Sequence, residues 1–265
     1  MCGIAGELRF DGQPASRDAV AAMVDALAPR GPDGHGLVAA GRTALGHRRL
    51  AVIDPTPRSA QPMVDSELGL SIVYNGALYE YRRVRQRLVA LGYRFTSDGD
   101  TEVVLKAFHA WGPECVLQLE GMFAFAITDA EGRCFIARDR MGIKPLYWSA
   151  NGGRFRFAST LPALLAAGGV DTRLDPVALQ QFCTLHGVVV APHTVLQGVR
   201  KLPPATWMLI EADGARRERV YWTMERRPTP GVSPQAWTGR LREALITAVR
   251  RRCVADTPVG VLLSG

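Results

Sequence analysis

The grouping of its strand-like runs restricts this chain more than any other feature. Residues 122–128, 134–138, 146–149 and 154–158 are short runs separated by turn residues such as Asn151-Gly152-Gly153. Runs this short, with turns between them, favour pairing with neighbours over helical crossovers. Further runs at 4–10, 44–53 and 70–74 read as strands, and the patterns at 81–91 and 101–111 read as helices. Ser16 stands where it would cap a helix to about residue 27, with Val20, Met23, Val24 and Leu27 on one face. Strands and helices gathered into separate runs predict an α+β fold, with sheets packed together and helices outside.

The remaining punctuation sets the predicted boundaries. Pro29-Arg30-Gly31-Pro32-Asp33-Gly34 breaks both helix and strand ladders and must be a loop. A strand at 206–211 follows Lys201-Leu202-Pro203-Pro204, and the polar, proline-bearing stretch 226–234 is the best candidate boundary. Ser233 or Pro234 would start a long amphipathic helix to about Cys253. The apolar run Val259-Gly260-Val261-Leu262-Leu263 then reads as a strand buried on both faces. The expected organisation is a domain over 1–210, a linker over 211–233 and the first helix and strand of another domain over 234–265.

Composition narrows the function classes. The formal charge of +7 comes almost wholly from arginine, spread along the 265 residues. The one dense cluster, Arg250-Arg251-Arg252, ends a helix, where cations meet the negative end of its dipole. No nucleic-acid partner is therefore expected. No apolar stretch approaches the ~20 residues that span a bilayer, and the N-terminus lacks a secretory pattern, so a cytoplasmic protein without membrane contact is expected. Cys2, Cys115, Cys134, Cys183 and Cys253 are widely spaced and form no C-x-x-C pair. The last four read as reduced small hydrophobes, and with no ligand spacing among the histidines no metal site is expected.

Cys2 is different, because removing Met1 would place a thiol and a free amine on one residue. Reference pKa values of roughly 8.5 for a thiol and 7.7–8.0 for an α-amine leave part of the amine unprotonated near neutrality. It could take the thiol proton and return it to a leaving group, with no histidine required. Taken alone, an early cysteine is more often a buried small residue.

Other segments place Cys2 in a pattern. Cys2-Gly3-Ile4, Arg30-Gly31-Pro32-Asp33, Gly46-His47-Arg48-Arg49-Leu50, Tyr74-Asn75-Gly76, Gly99-Asp100-Thr101-Glu102, Gly121-Met122-Phe123-Ala124-Phe125 and the segment 138–147 occur in one order. The series resembles class II glutamine amidotransferase domains, and as a whole the glutamine-hydrolysing asparagine synthetase family. Residues 2–11 and 161–204 are most similar to its N-acetylglutaminylglutamine amidotransferase branch. The resemblance implies an N-terminal-nucleophile hydrolase fold, a four-layer αββα sandwich, followed by the start of an α/β ATP-binding domain.

By the same resemblance, Cys2 is nucleophile and base in the hydrolysis of L-glutamine to glutamate and ammonia, by way of a thioester. Asn75, through its amide, and Gly76, through its backbone N–H, form the oxyanion hole; on spacing alone, Asn75-Gly76 also reads as a hairpin turn. Arg49 holds the α-carboxylate and Asp100 the α-amino group, while Arg48 reads as a solvated neighbour and Asp100 also as a helix N-cap. Arg30, Asp33, Asp139 and the stretch 138–147 are assigned to architecture. Where the family commonly has Asn-Gly-Glu, this chain has Ala77, so charge recognition would rest more heavily on Asp100. Pro29 stands where histidine is frequent, in the loop and away from the chemistry.

In the family, Ser264 and Gly265 would begin a nucleotide-cradling loop. Full-length relatives would use ATP and Mg to activate an acyl acceptor; this chain is not expected to bind either, and glutamine hydrolysis needs no cofactor. The identity of that acceptor stays open, as does a homodimer. The competing expectations are an inactive fragment or interaction domain keeping the fold, and a hydrolase of a different amide.

Overall fold

In the computed structural model, residues 1–226 and 230–262 are described. The order of elements begins β1 (Gly3–Arg9), α1 (Arg17–Ala26), β2 (Gly34–Ala40), β3 (Thr43–Arg49), β4 (Met63–Asp65) and β5 (Leu70–Leu78). It continues through α2 (Tyr81–Ala90), α3 (Asp100–Trp111), β6 (Gly121–Asp129), β7 (Cys134–Arg138), β8 (Tyr147–Asn151), β9 (Arg154–Ala158) and α4 (Leu161–Ala166). It closes with α5 (Pro176–Thr184), β10 (Arg200–Lys201), β11 (Thr206–Ile210), β12 (Arg216–Val220) and α6 (Pro234–Arg252). Two six-stranded sheets result, ordered β10-β8-β9-β1-β3-β2 and β12-β11-β7-β6-β5-β4, with antiparallel strand pairs throughout.

Period-two alternation explains the layers, because both faces of the central strands are buried. In β6, Phe123, Phe125 and Ile127 join the core under α2 and α3, whereas Ala124 and Ala126 face the other sheet. Ile4 and Leu8 of β1 lie in that inter-sheet core with Val73, Phe155 and Phe157, while Ala5 packs toward α1 and α4. Helix, sheet, sheet and helix thus stack as the α+β reading requires.

The capping residues act as expected. Ser16 accepts the Ala19 N–H at 3.1 Å and starts α1, whose Val20, Met23 and Val24 are buried together with Leu27. Ser233 accepts the Ala236 N–H at 3.2 Å and starts α6.

Three elements differ from the sequence reading. The strand expected over 44–53 ends at Arg49, because the chain turns away to wrap the cleft described below. The second sheet extends into the stretch expected to be a linker, since β12 pairs with β11 from Arg216 to Val220 and Tyr221 donates its hydroxyl to the Arg138 carbonyl at 2.8 Å. The expected strand at 259–263 is irregular over 259–262, with Val261 and Leu262 exposed and no strand beside it among the described residues. Leu263, Ser264 and Gly265 lie outside the described residues.

Gly46 lets α1 settle onto β3: an added Cβ would overlap Val24 Cγ2 and stand 2.9 Å from Val20 Cγ1. Gly46→Ala is expected to destabilise the fold by roughly 1–3 kcal/mol through overpacking, read from the shift of the urea unfolding midpoint.

Candidate active site

The start of β1 and the open edge of β5 meet at a cleft of about 160 Å³ lined by Cys2, Arg49, Leu50, Asn75, Gly76, Asp100 and Lys144, among others. Five residues from four separated segments, Cys2, Arg49, Asn75, Gly76 and Asp100, are therefore brought together.

Cys2 is fixed from two sides. Its carbonyl accepts the Arg30 Nε–H at 3.0 Å, and its Sγ accepts the Leu50 N–H at 3.3 Å. Behind it, Ile4 donates its N–H to Ser159 Oγ at 2.9 Å, anchoring β1. Burial pushes the thiol pKa up, while the Leu50 N–H and the Lys144 cation oppose that rise. The Lys144 ammonium lies 3.2 Å from Met1 Sδ, and burial lowers its own pKa.

The loop from Pro29 to Gly34 buttresses this corner. A Cβ on Gly31 would come within 2.5 Å of the Arg48 carbonyl carbon and the Arg49 nitrogen, so only glycine permits the approach. Asp33 donates its N–H to Arg49 O at 3.0 Å, and its carboxylate accepts the Ala51 N–H at 2.8 Å.

Asn75 and Gly76 are not a hairpin turn. They sit inside β5, paired with Ala124 and Phe123 of β6. The turn reading fails because β5 runs on to Leu78, while β4 stops after pairing with Leu70, Ser71 and Ile72. Beyond that point the strand edge is met by side chains: Gln61 Oε1 accepts the Tyr74 N–H at 2.6 Å and Asp100 Oδ2 the Leu78 N–H at 3.0 Å. Alternation directs the Gly76 N–H to the same edge, between these two. An added Cβ on Gly76 would meet Met122 O at 2.5 Å. The Asn75 side chain is 1% exposed, and its amide nitrogen has no partner among the described residues.

An unpaired buried donor costs about 1–3 kcal/mol. A purely structural position would lose nothing by an apolar residue, so the arrangement favours a visiting acceptor such as a developing oxyanion.

Two charged groups flank these donors. Arg49 donates to Thr56 O at 2.9 Å and to Asp54 O, which orients its guanidinium and leaves further N–H donors for the cleft. Arg48 points the other way and is not solvated as expected; it donates to Val24 O at 2.9 Å and pairs with Asp25 at 2.8 Å at the end of α1. The Asp100 side chain does not cap its helix, since Gly99 holds the cap position and the carboxylate accepts from Leu78 and the Tyr74 hydroxyl instead. Burial pushes the Asp100 pKa up to about 6, against those hydrogen bonds, so the group is ionised near neutrality.

Sequence reasoning missed the residue joining the two charges. Asp54 is 4% exposed and adopts a left-handed backbone (φ 43°). Its carboxylate accepts from Thr56 Oγ1 and Ser59 Oγ, each at 2.6 Å, and from the Asp98 N–H at 2.9 Å. Burial alone would raise its pKa, but these bonds hold it well below the usual carboxylate range. Asp54 thereby ties the Arg49 loop to the turn that carries Asp100. Gln61 adds a second tie, donating its Nε2 to Thr101 Oγ1 at 3.1 Å. Only the Asp-x-Thr spacing of 54 and 56, a turn signal, could have drawn notice.

Arg138 and Asp139 shape the wall holding Lys144. Asp139 accepts N–H groups from Phe123, Met141, Ile143 and Lys144, and Arg138 donates to the carbonyls of Gly142, Lys144 and Leu202. No histidine is among the described residues lining the cleft. His47 is buried in β3, where burial lowers its pKa to about 3.

Known proteins resemble this chain in sequence and in fold. Residues 1–222 match the family described as the glutamine amidotransferase domain. Asparagine synthetase (glutamine-hydrolysing) 3 of Bacillus subtilis is 35% identical over 270 residues, covering 100% of this chain and 43% of that protein. A putative asparagine synthetase (glutamine-hydrolysing) 2 of Methanocaldococcus jannaschii is 31% identical, covering 100% and 55%. The chain thus spans about half the length, or less, of these relatives. Glutamine phosphoribosylpyrophosphate amidotransferase of B. subtilis shares the fold, with a TM-score of 0.61 at 19% identity over 84% of this chain and 50% of that one. Matched along most of its length and built around the same two-sheet frame, the chain belongs to the glutamine amidotransferase domain family.

Proposed function

We propose that this chain hydrolyses L-glutamine to glutamate and ammonia at Cys2, as the ammonia-supplying part of an asparagine-synthetase-like ligase. The observation that carries the reading is the unpartnered amide of buried Asn75 in the cleft that holds the Cys2 thiol. A family member needs that donor where amide cleavage puts charge on oxygen.

While Met1 is attached, the nitrogen of Cys2 is a peptide nitrogen and cannot act as a base. Met1 is 54% exposed and accessible to removal. The freed amine then lies beside Arg30, with Lys144 also in the cleft; both cations disfavour the ammonium form and enlarge the fraction able to act as base. The amine takes the thiol proton, and the thiolate attacks the side-chain carbonyl carbon of glutamine. Asn75 Nδ2 and the Gly76 N–H hold the oxyanion. Collapse expels ammonia with the proton returned by the amine and leaves a glutamyl thioester. Water, deprotonated by the same amine, cleaves the thioester to glutamate.

Arg49 takes the α-carboxylate and Asp100 the α-ammonium, a pair that selects a free amino acid over other amides. Ala77 also lines the cleft and adds no carboxylate, so the ammonium is held by Asp100. Downstream, the resemblance of residues 2–11 and 161–204 supports N-acetylglutaminylglutamine as the acceptor of ammonia. ATP and Mg belong to that acyl-activating step and not to glutamine hydrolysis.

Chain from which Met1 has been removed should release ammonia from glutamine, and both Cys2→Ala and the Met1-bearing chain should not. Ammonia release by folded Cys2→Ala would sink the mechanism. Asn75→Ala should lower kcat about 10²–10³-fold with KM changed only a few-fold, measured by steady-state kinetics. Binding of glutamine to Cys2→Ala, followed by calorimetry, should weaken as pH falls through about 6, because protonation removes the Asp100 charge facing the ammonium. Adding Asp100→Asn to that variant should leave binding weak at every pH from 5 to 8.

A further inference from the structure

Residues 253–257, beyond the end of α6, turn back onto the loop that carries the cleft wall. The Asp256 N–H donates to Val52 O at 2.9 Å, and Asp256 Oδ2 accepts the Asp54 N–H at 2.8 Å. One residue thus grips two backbone groups of the loop, 202 positions back along the chain from Asp256 to Asp54. Val254 packs against the core cluster beside Ile53. The preceding helix is moored through Arg251, which lies 3.1 Å from Glu120 and 3.6 Å from Glu80.

The gripped groups belong to the segment that borders the cleft and orients Arg49. Val52 and Ile53 line the cleft, and the carbonyl of Asp54 receives the Arg49 guanidinium. The left-handed backbone at Asp54 costs a non-glycine residue energy and persists only when its surroundings enforce it. Its carboxylate enforces the conformation from inside, through Thr56, Ser59 and Asp98; Asp256 enforces it from outside, through the N–H.

We infer that Asp256 is a positioning residue for glutamine recognition, holding the 50–54 loop through its backbone so that the placement of residues 253–257 sets the affinity of the cleft. The inference rests on the glutaminase reading, since Arg49 is its recipient, but the loop contact itself can be measured without substrate.

The test uses the full chain after removal of Met1, as wild type, Asp256→Ala and Asp256→Asn. Asp256→Ala should raise KM for glutamine about 3- to 10-fold, the worth of one lost hydrogen bond, with kcat within about twofold. Hydrogen exchange at the Asp54 amide should quicken in the same variant. Asp256→Asn keeps an oxygen acceptor and should restore both. An Asp54 amide that exchanges at the wild-type rate in Asp256→Ala, or an asparagine variant no better than alanine, overturns the proposal. A wild-type chain that releases no ammonia overturns the glutaminase reading instead, and exchange at Asp54 still decides whether Asp256 holds the loop.

Discussion

The face-to-face packing of the two sheets is the constraint from which the cleft follows. The inter-sheet core joins Ile4 and Leu8 of one sheet to Val73, Ala124 and Ala126 of the other, and β1 lies against β5 across it. That contact sets the beginning of β1, hence Cys2, against the exposed edge of β5, hence Gly76. Neither element could complete the proposed site alone, because its thiol lies on one sheet and its backbone and amide donors on the other. Core packing here is therefore also the placement of reacting groups.

Around that contact, loop polar groups are satisfied by carboxylates. Asp54, Asp100 and Asp139 each bind several donors in place of a secondary-structure ladder, and each holds one wall of the cleft. Their environments separate their tasks. Asp54 and Asp139 accept hydrogen bonds from several neighbouring donors, whereas burial raises the pKa of Asp100, a penalty on its charge that a nearby cation would offset. Three residues of one type thus divide into two braces and one group free for the proposed role in recognition.

The sequence made the strands and caps legible because period-two burial and Ser16 or Ser233 are local signals. It also offered Cys2 as a candidate, since a thiol and a free amine on one residue would have specific chemistry. Asn75-Gly76 misled because a preference for tight turns is local, whereas the residues they pair with, Ala124 and Phe123, lie far along the chain. Gln61, Asp256 and the tie from Asp54 to Asp98 were illegible for the same reason, their partners being set by loops meeting only after the sheets have packed. The strand expected at 259–263 shows the converse, an apolar run without a ladder beside it over the described residues 259–262. Arg48 and Arg49, adjacent and identical, diverge only because β3 sends alternate side chains to opposite faces.

The abrupt end of β4 bears on solubility as well as on chemistry. A sheet border with unpaired amides invites another chain to dock and extend it, the first step toward aggregation. Here the border beyond Ile72 is plugged at Tyr74 by a glutamine side chain and at Leu78 by an aspartate, so an incoming strand finds neighbouring positions already taken. The amide between them belongs to Gly76, which lines the cleft. Protection against misassembly and the walls of the proposed site are, at this border, one arrangement of atoms.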